Sequence, residues 1–388
     1  MDRSPSPFSS VSIGPLTLRN RFIKAATFEG MTNEGVVSER LVEFHRSVAA
    51  GGAALTTLAF LAVSEDGQGA PGELVVQSRL VPGLQRLADA VHAEGALVAG
   101  QIGHARTIRA ATGARGLAPS PVFSAQALRR TRAASPDDIG RIVSDFSTAA
   151  RTLEESRFDA IEIHMGHGYL LSSFLSPALN RRNDHFGGDA IRRAEVARRV
   201  ASGVRAAVGS AIAVTAKLNL DDGAGNRTSE NDVVTTIELF ERDGSLDAIT
   251  LTGGSSFRDP MYLLRGAVPL RELSEQFPQP MRTALRVTGK RFLRSYPFHE
   301  GFFLDASRSI RARTALPLIA LGGINELPTV QQALEDGFIA VALGRALLRE
   351  PGLVARWQQG DHRSGDCIHC NRCMPTIYTG TRCTEVNE

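Results

Sequence analysis

The sequence contains very little lysine, few aromatic residues and few cysteines. Its 388 residues include 44 basic side chains, of which only three are Lys, at positions 24, 217 and 290, so that the other 41 are Arg. Aromatic residues make up 6% of the chain, and the four Cys all lie within the last 22 residues. Because the cysteines are confined to one short segment, they cannot form a general disulfide framework and must act locally.

Long hydrophobic runs and blocks of like charge are also missing. No run of about eighteen apolar residues predicts a membrane-spanning helix, and the opening MDRSPSPFSS lacks the apolar core of a signal peptide, which predicts a cytoplasmic protein. The formal net charge is only +3, and no basic stripe with interleaved aromatics indicates nucleic acid. The expected ligand is therefore a small molecule. The sequence leaves open whether the chain forms a homo-oligomer.

What is present is a repeated alternation of short apolar segments with charged segments of about ten to fifteen residues, typical of strands followed by helices. The predicted strands lie near residues 22–26, 53–60, 96–101, 160–164, 212–218, 248–251, 318–321 and 339–343. Strict alternation predicts a parallel α/β architecture. Eight units favour a closed (β/α)8 TIM barrel over an open sheet.

We predict two parts of the chain: a barrel domain over residues 1–360, and a short four-Cys tail over residues 361–388 that packs on the barrel. Two strand-to-helix loops, residues 102–135 and 252–302, are too long to be simple connections. Both follow predicted strands, so they lie at the carboxyl face of the barrel, where active sites of this fold are found. Long loops in this position usually contribute to substrate binding.

His164 ends the predicted fourth strand, and His167 and Tyr169 follow it. By itself, a His-x-x-His pair is more typical of buried structural histidines or of metal ligands than of catalysis. The surrounding segment, DAIEIHMGHGYLLSSFLSPALNRRNDHFGG at residues 159–188, resembles the signature of the old yellow enzyme family of flavin-dependent ene-reductases. The resemblance implies that the two histidines bind the carbonyl of an α,β-unsaturated substrate and that Tyr169 supplies a proton.

Three further segments extend the resemblance to the flavin. Residues 16–32, LTLRNRFIKAATFEGMT, resemble the family's first strand, whose backbone passes the flavin ring. The positions implied there are Ala25, Ala26, Thr27 and Phe28. Phe28 stands where many members have Cys or Thr. Gln101 matches the residue that binds the flavin pyrimidine edge, and Lys217 stands where many members have an Arg near flavin N1.

Glycines after the last two predicted strands indicate a phosphate site. Gly322 and Gly323 follow the seventh strand, and Gly344 and Arg345 follow the eighth. In phosphate-binding barrels these two loops present backbone N–H groups to a phosphate, and an Arg can add a bidentate contact. Since ALGRALLREP at residues 342–351 also resembles the family, we expect these residues to bind the phosphate of FMN.

The tail contains the spacing Cys-x2-Cys-x2-Cys-x9-Cys, formed by Cys367, Cys370, Cys373 and Cys383. Such spacing is typical of metal sites. It resembles the iron–sulfur motif that follows the barrel in dienoyl-CoA reductase and trimethylamine dehydrogenase, where the cluster relays electrons to the flavin. An iron–sulfur cluster served by an electron-transfer partner, a zinc ion and four reduced thiols are the three alternatives.

The combined prediction is an FMN-dependent ene-reductase that uses NAD(P)H to reduce an activated C=C bond. One alternative within the same fold is a dehydrogenase or demethylase of the trimethylamine dehydrogenase type, with electrons leaving through the Cys motif. An alternative of another class is a flavin-free phosphate-binding barrel, an aldolase or isomerase that uses Lys217 as a Schiff-base amine.

Overall fold

The computed structural model describes residues 5–32, 35–70, 72–105, 116–124, 129–223, 225 and 227–386. Eight parallel strands form its centre: β1 Phe22–Lys24, β2 Leu55–Ala62, β3 Leu97–Gly103, β4 Ala160–Met165, β5 Ala213–Asn219, β6 Ala248–Thr252, β7 Leu318–Ala320 and β8 Ala340–Leu343. Each strand pairs with the next, and β8 pairs with β1, which closes the barrel. The TIM barrel predicted from the alternation is confirmed, with all eight strands at the expected places.

Helices lie on the outside of the barrel. They are α1 Glu39–Ala50, α2 Val81–Ala93, α3 Pro136–Glu155, α4 Ala190–Val208, α5 Glu230–Asp243, α6 Leu304–Arg311, α7 Leu327–Glu335 and α8 Leu353–Gln358. Local sequence sets several of their starts. Ser135 and Asp138 form a capping box at the start of α3, and Ser229 and Asp232 form another at α5. These contacts satisfy backbone N–H groups that the first helical turn leaves without partners.

Small side chains fill the lower part of the barrel interior. Ala99, Ala160, Ala213, Ala248 and Ala340 belong to one buried cluster in this layer. A hairpin formed by the strands Val11–Ile13 and Leu16–Leu18 contributes to the same cluster. Side chains from all sides therefore meet in a packed interior, as is usual for this fold. Polar groups are concentrated toward the carboxyl face.

The two long loops contain structure of their own. In the loop after β3, Leu117–Ala118 pairs with Arg132–Ala133, and Phe123–Ser124 pairs with Arg129–Arg130. The loop after β6 contains the helices Pro260–Leu264, Leu270–Glu275 and Met281–Phe292. Further short elements are the strand Leu74–Val75 beside β2, the helices Leu170–Leu175 and Arg345–Arg349, and the 3-10 helices Glu65–Gly67, Ser78–Leu80 and Met374–Tyr378. Within the described ranges, no helix has the length and apolar character needed to cross a bilayer.

Candidate active site

The end of β4 and the turn after it bring His164, His167 and Tyr169 together. His164 is the fifth residue of this fully buried strand, and only 3% of its surface is exposed. Its ring centroid lies 5.0 Å from that of His167 and 4.6 Å from that of Tyr169. His167 has a φ of 59°, a left-handed conformation that is uncommon outside glycine and concentrates at functional sites. The three side chains form one cluster at the carboxyl face.

Burial determines the charge of this cluster. Burial, followed by the effects of His167 and Lys217, holds the pKa of His164 well below its ordinary value. Burial, together with Lys217, lowers the pKa of His167 to about 3. Burial, and then Glu73, raises the pKa of Tyr169. At neutral pH the cluster therefore contains two uncharged imidazoles, each with one N–H donor, and a protonated phenol.

Aromatic rings enclose the cluster. The Phe60 ring stacks on Tyr169 with centroids 5.1 Å apart and meets the edge of His164 at 6.1 Å. The Phe257 ring meets Tyr169 edge-on at 5.3 Å. Apolar walls of this kind lower the local dielectric, so a hydrogen bond to a developing negative charge is stronger here than in water.

The predicted flavin-edge residues belong to a buried polar network. Gln101 Nε2 donates to Glu162 Oε1 at 2.7 Å, and Lys217 Nζ lies 3.2 Å from the same oxygen. Thr250 Oγ1 donates to Glu162 Oε2 at 3.3 Å, and Lys217 Nζ donates to the carbonyl of Ala26 at 3.4 Å. Gln101 and Lys217 therefore share a carboxylate that the sequence interpretation missed. The available signal was a Glu in the middle of the otherwise apolar strand AIEIHM.

The segment after β1 runs beside the cluster of His164, His167 and Tyr169. The amide of Ala25 donates to the carbonyl of the last residue of β8 at 2.8 Å. Ala26 and Phe28 pack with Tyr169 around one small apolar cluster that includes Phe60. The predicted flavin-facing segment and the predicted catalytic residues are therefore neighbours.

The tail fixes this segment from the other side. Thr381 donates its amide to the carbonyl of Glu29 at 2.6 Å and its hydroxyl to the carbonyl of Phe28 at 2.5 Å. The Glu29 carboxylate accepts hydrogen bonds from the amide of Ala59, at 2.9 Å, and from the buried ammonium of Lys24. The segment is thus held between the barrel and the tail, and these contacts were not predicted.

The predicted phosphate glycines lie at the ends of β7 and β8. Gly322 and Gly323 have φ values of 125° and 71°, which only glycine adopts easily. A Cβ at Gly322 would lie 2.7 Å from the ring of Phe303, so no larger residue fits. At Gly344 a Cβ would be 3.9 Å from the methyl group of Thr27, which puts Thr27 beside this turn. The segment after β1 thus extends from the His164, His167 and Tyr169 cluster to the predicted phosphate site.

Arg345 is directed toward the tail. Its Nη1 donates to the carbonyl of Arg265 at 3.1 Å and to Oδ1 of Asn371. Asn371 lies inside the Cys motif, and its Nδ2 donates to the carbonyls of Arg265 and Ala267 at 2.8 and 2.9 Å. Arg345 therefore joins the β8 loop to the tail, and its phosphate contact stays a prediction.

The four thiols, all partly buried, line one cavity. They are Cys367, Cys370, Cys373 and Cys383, and Arg345 lies on the same cavity wall. Burial raises the pKa of the Cys373 thiol to about 11, although Arg345 acts in the opposite direction. Over the described part of the chain, no three His, Cys, Asp or Glu side chains are arranged as metal ligands. The iron–sulfur and zinc interpretations therefore stay predictions.

Comparison with known proteins connects this geometry to a family. Residues 7–249 match the NADH:flavin oxidoreductase / NADH oxidase family. The chain belongs to this family, which includes the old yellow enzymes. Family members bind FMN and use NAD(P)H, which argues against the flavin-free aldolase or isomerase. The resemblance stated from the sequence motifs is confirmed.

Relatives in this family differ in length and in substrate. The 4,4'-dithiodibutanoate disulfide reductase of Rhodococcus erythropolis is 49% identical over 382 residues, which cover 98% of this chain and 95% of the relative. The metal reductase of Desulforamulus reducens is 30% identical over 378 residues, and the match covers 96% of this chain but 52% of that protein. This chain is thus an NAD(P)H- and flavin-linked oxidoreductase.

Solved structures show the same fold at low sequence identity. The complex of 2-naphthoyl-CoA reductase with 2-naphthoyl-CoA aligns with a TM-score of 0.81 at 22% identity, over 96% of this chain and 55% of that chain. The old yellow enzyme homologue from Zymomonas mobilis aligns with a TM-score of 0.74 at 21% identity, over 94% of this chain and 96% of that chain. These likenesses support the barrel fold alone.

The residues at the carboxyl face fit FMN. A flavin ring offers carbonyl acceptors along its pyrimidine edge, and Gln101 and Lys217 supply N–H donors beside the backbone of Ala26. A buried ammonium there also favours the negative charge that the flavin gains on reduction. Gly322 and Gly344 lie at the two turns that would hold the phosphate.

The first prediction concerns the tail. Replacing Cys370 and Cys373 with Ser should lower the thermal unfolding midpoint, because the tail holds the segment after β1 and a bound metal would add folding energy. The rate of FMN reduction by NAD(P)H, normalised to flavin content, should stay within about threefold, since direct hydride transfer needs no relay. Stopped-flow absorbance and thermal unfolding measure the two effects.

Metal analysis and a visible spectrum of the wild-type protein are the controls. If hydride transfer in the double variant is normal but multiple turnover with the natural acceptor is lost, electrons leave through the Cys motif. The dehydrogenase alternative would then replace the reductase.

Proposed function

We propose that this protein is an FMN-dependent ene-reductase that uses NAD(P)H to reduce an α,β-unsaturated carbonyl compound. The observation that carries the proposal is the pair of uncharged imidazoles, the buried His164 and the half-buried His167, beside the phenol of Tyr169. A site of this kind provides two hydrogen-bond donors and one proton donor in a single aromatic enclosure.

The chemistry of the substrate explains the need for each group. When hydride adds to the β-carbon of an enone, negative charge develops on the carbonyl oxygen, and N–H donors from His164 and His167 stabilise that charge. Bound beside Gln101 and Lys217, FMN would provide the hydride chemistry, with NAD(P)H as the reductant. Tyr169 then gives a proton to the α-carbon as general acid. The raised pKa keeps this phenol protonated at neutral pH.

A second candidate substrate is a small carboxylate-bearing disulfide. Its support is the relative that reduces 4,4'-dithiodibutanoate, which is 49% identical and matches almost the full length of both chains. Two electrons and a proton split an S–S bond into a thiol and a thiolate. The same imidazole donors would stabilise the departing thiolate, while no carbon would need a proton from Tyr169.

The second prediction separates these substrates. Protein reduced anaerobically with one equivalent of NAD(P)H should be reoxidised by 2-cyclohexenone in stopped-flow mixing, with cyclohexanone as the unreactive control. Tyr169→Phe should slow this reaction by about 100-fold or more, since a positioned general acid contributes about 100- to 10,000-fold. Its effect on reoxidation by 4,4'-dithiodibutanoate should be smaller.

If the disulfide reoxidises the reduced protein rapidly and the enone does not, disulfide reduction replaces ene-reduction as the proposed activity. A Tyr169→Phe variant that reduces the enone at the wild-type rate would show that another group donates the proton.

A further inference from the structure

Two residues at the ends of neighbouring strands both bind His167. Asn219 is the last residue of β5 and Thr252 is the last residue of β6, and the two are register partners in the sheet. Asn219 Oδ1 accepts the backbone N–H of His167 at 3.0 Å, and Thr252 Oγ1 lies 2.9 Å from His167 Nε2. One residue therefore holds the main chain of His167 and the other holds its ring.

The Asn219 amide has a fixed orientation. Its Nδ2 donates to Asp222 Oδ1 at 3.0 Å and to the carbonyl of Gly254 at 2.9 Å. Since both partners accept hydrogen bonds, Nδ2 must face them and Oδ1 must face His167. The amide thus stabilises the turn in which His167 adopts a positive φ.

The Thr252 hydroxyl determines which nitrogen of His167 carries the proton. Thr252 is completely buried, and within the described ranges His167 Nε2 is the only hydrogen-bond partner of its hydroxyl. If Nε2 carried the proton, the hydroxyl hydrogen of Thr252 would be buried without an acceptor, which is unfavourable. The hydroxyl therefore donates to Nε2, and the single N–H of the neutral imidazole is at Nδ1.

We infer that Asn219 and Thr252 are positioning residues that fix the tautomer and orientation of His167, so that its Nδ1–H faces the reacting atoms of the substrate. The inference rests on the proposed function only for the identity of the substrate. A neutral histidine can donate from one nitrogen alone, so a second group must select that nitrogen if the residue is to stabilise a developing anion.

The third prediction compares Thr252→Val, which keeps the shape but removes the hydroxyl, with Thr252→Ser, which keeps the hydroxyl. Thr152→Val is the matched control, because Thr152 is also buried but binds a backbone carbonyl within α3. The oxidative half-reaction should slow about tenfold or more in Thr252→Val, as expected when an anion-stabilising donor is turned away. Thr252→Ser and Thr152→Val should stay within about threefold of wild type.

Nitrogen NMR of the FMN-bound protein labelled with ¹⁵N-histidine reads the tautomer directly, with the His167 signals assigned from a His167→Gln variant. Wild type and Thr252→Ser should show a protonated Nδ1, and Thr252→Val should shift toward a protonated Nε2. An unchanged tautomer in Thr252→Val, or an Nε2–H form in the wild type, would overturn the inference. This NMR measurement needs no substrate. It therefore tests the role of Thr252 even if the protein proves not to be an ene-reductase.

Discussion

Replacing His164 with Phe should slow the oxidative half-reaction with an enone by about 100- to 1,000-fold, the range observed when one oxyanion donor is removed. The physical reason is that His164 is uncharged and buried against aromatic rings, where water cannot take over the lost hydrogen bond. Phe retains the ring volume and its packing. Single-turnover stopped-flow absorbance with a series of enone concentrations measures the effect on the rate at saturation.

Folding and flavin content provide the controls for this variant. The FMN spectrum and thermal midpoint of His164→Phe should remain close to those of wild type, since the aromatic contacts are retained. His362, which is exposed in the segment after α8, offers a matched His362→Phe substitution that should leave both half-reactions unchanged. If the enone reoxidises the reduced His164→Phe variant at the wild-type rate, His164 does not belong to the proposed anion site.

Replacing Lys217 with Met should destabilise the protein by about 3–5 kcal/mol, because it leaves the carboxylate of Glu162 buried without its cation. The side chains of Lys217 and Glu162 are 2% and 9% exposed, so solvent cannot compensate for the loss. FMN retention should fall as well, since the ammonium is a proposed flavin contact. Urea unfolding of the FMN-free protein and dialysis of the holoprotein measure the two effects separately.

A double variant tests the assignment of the pair. Lys217→Met combined with Glu162→Gln should recover most of the lost stability, because replacing both members of a buried ion pair is often close to neutral. FMN retention should remain weak in the double variant, as the flavin contact is still absent. If the double variant is as unstable as Lys217→Met alone, the loss of stability is not caused by leaving the Glu162 carboxylate without its cation.

Local patterns were enough to predict the strands and the cluster at the end of β4. Within β4, residues 160, 162 and 164 alternate with the apolar residues 161, 163 and 165, and this period of two places Glu162 on the same face as His164. The turn after the strand is likewise encoded by nearby glycines. His164, His167 and Tyr169 could therefore be predicted to meet, since they lie within six residues of one another.

The partners of these groups were not predictable from such patterns. Alternation fixes the face of a strand, but the contact of Glu162 with Lys217 depends on the register between β4 and β5, which barrel closure sets. The same holds for Asn219 and Thr252 around His167. Thr381 and Phe28 are 353 positions apart in the chain, so no local sequence pattern predicts their contact.

The closure of the barrel through β1 and β8 has a consequence for how the protein is made. During translation, residues 22–24 emerge from the ribosome about 320 residues before their β8 partners, a delay of roughly 15–60 s at about 5–20 residues per second. Throughout that interval β1 has one edge without a neighbour. The wall beside His164, His167 and Tyr169 is therefore complete only after β8 and then Thr381 have been synthesised.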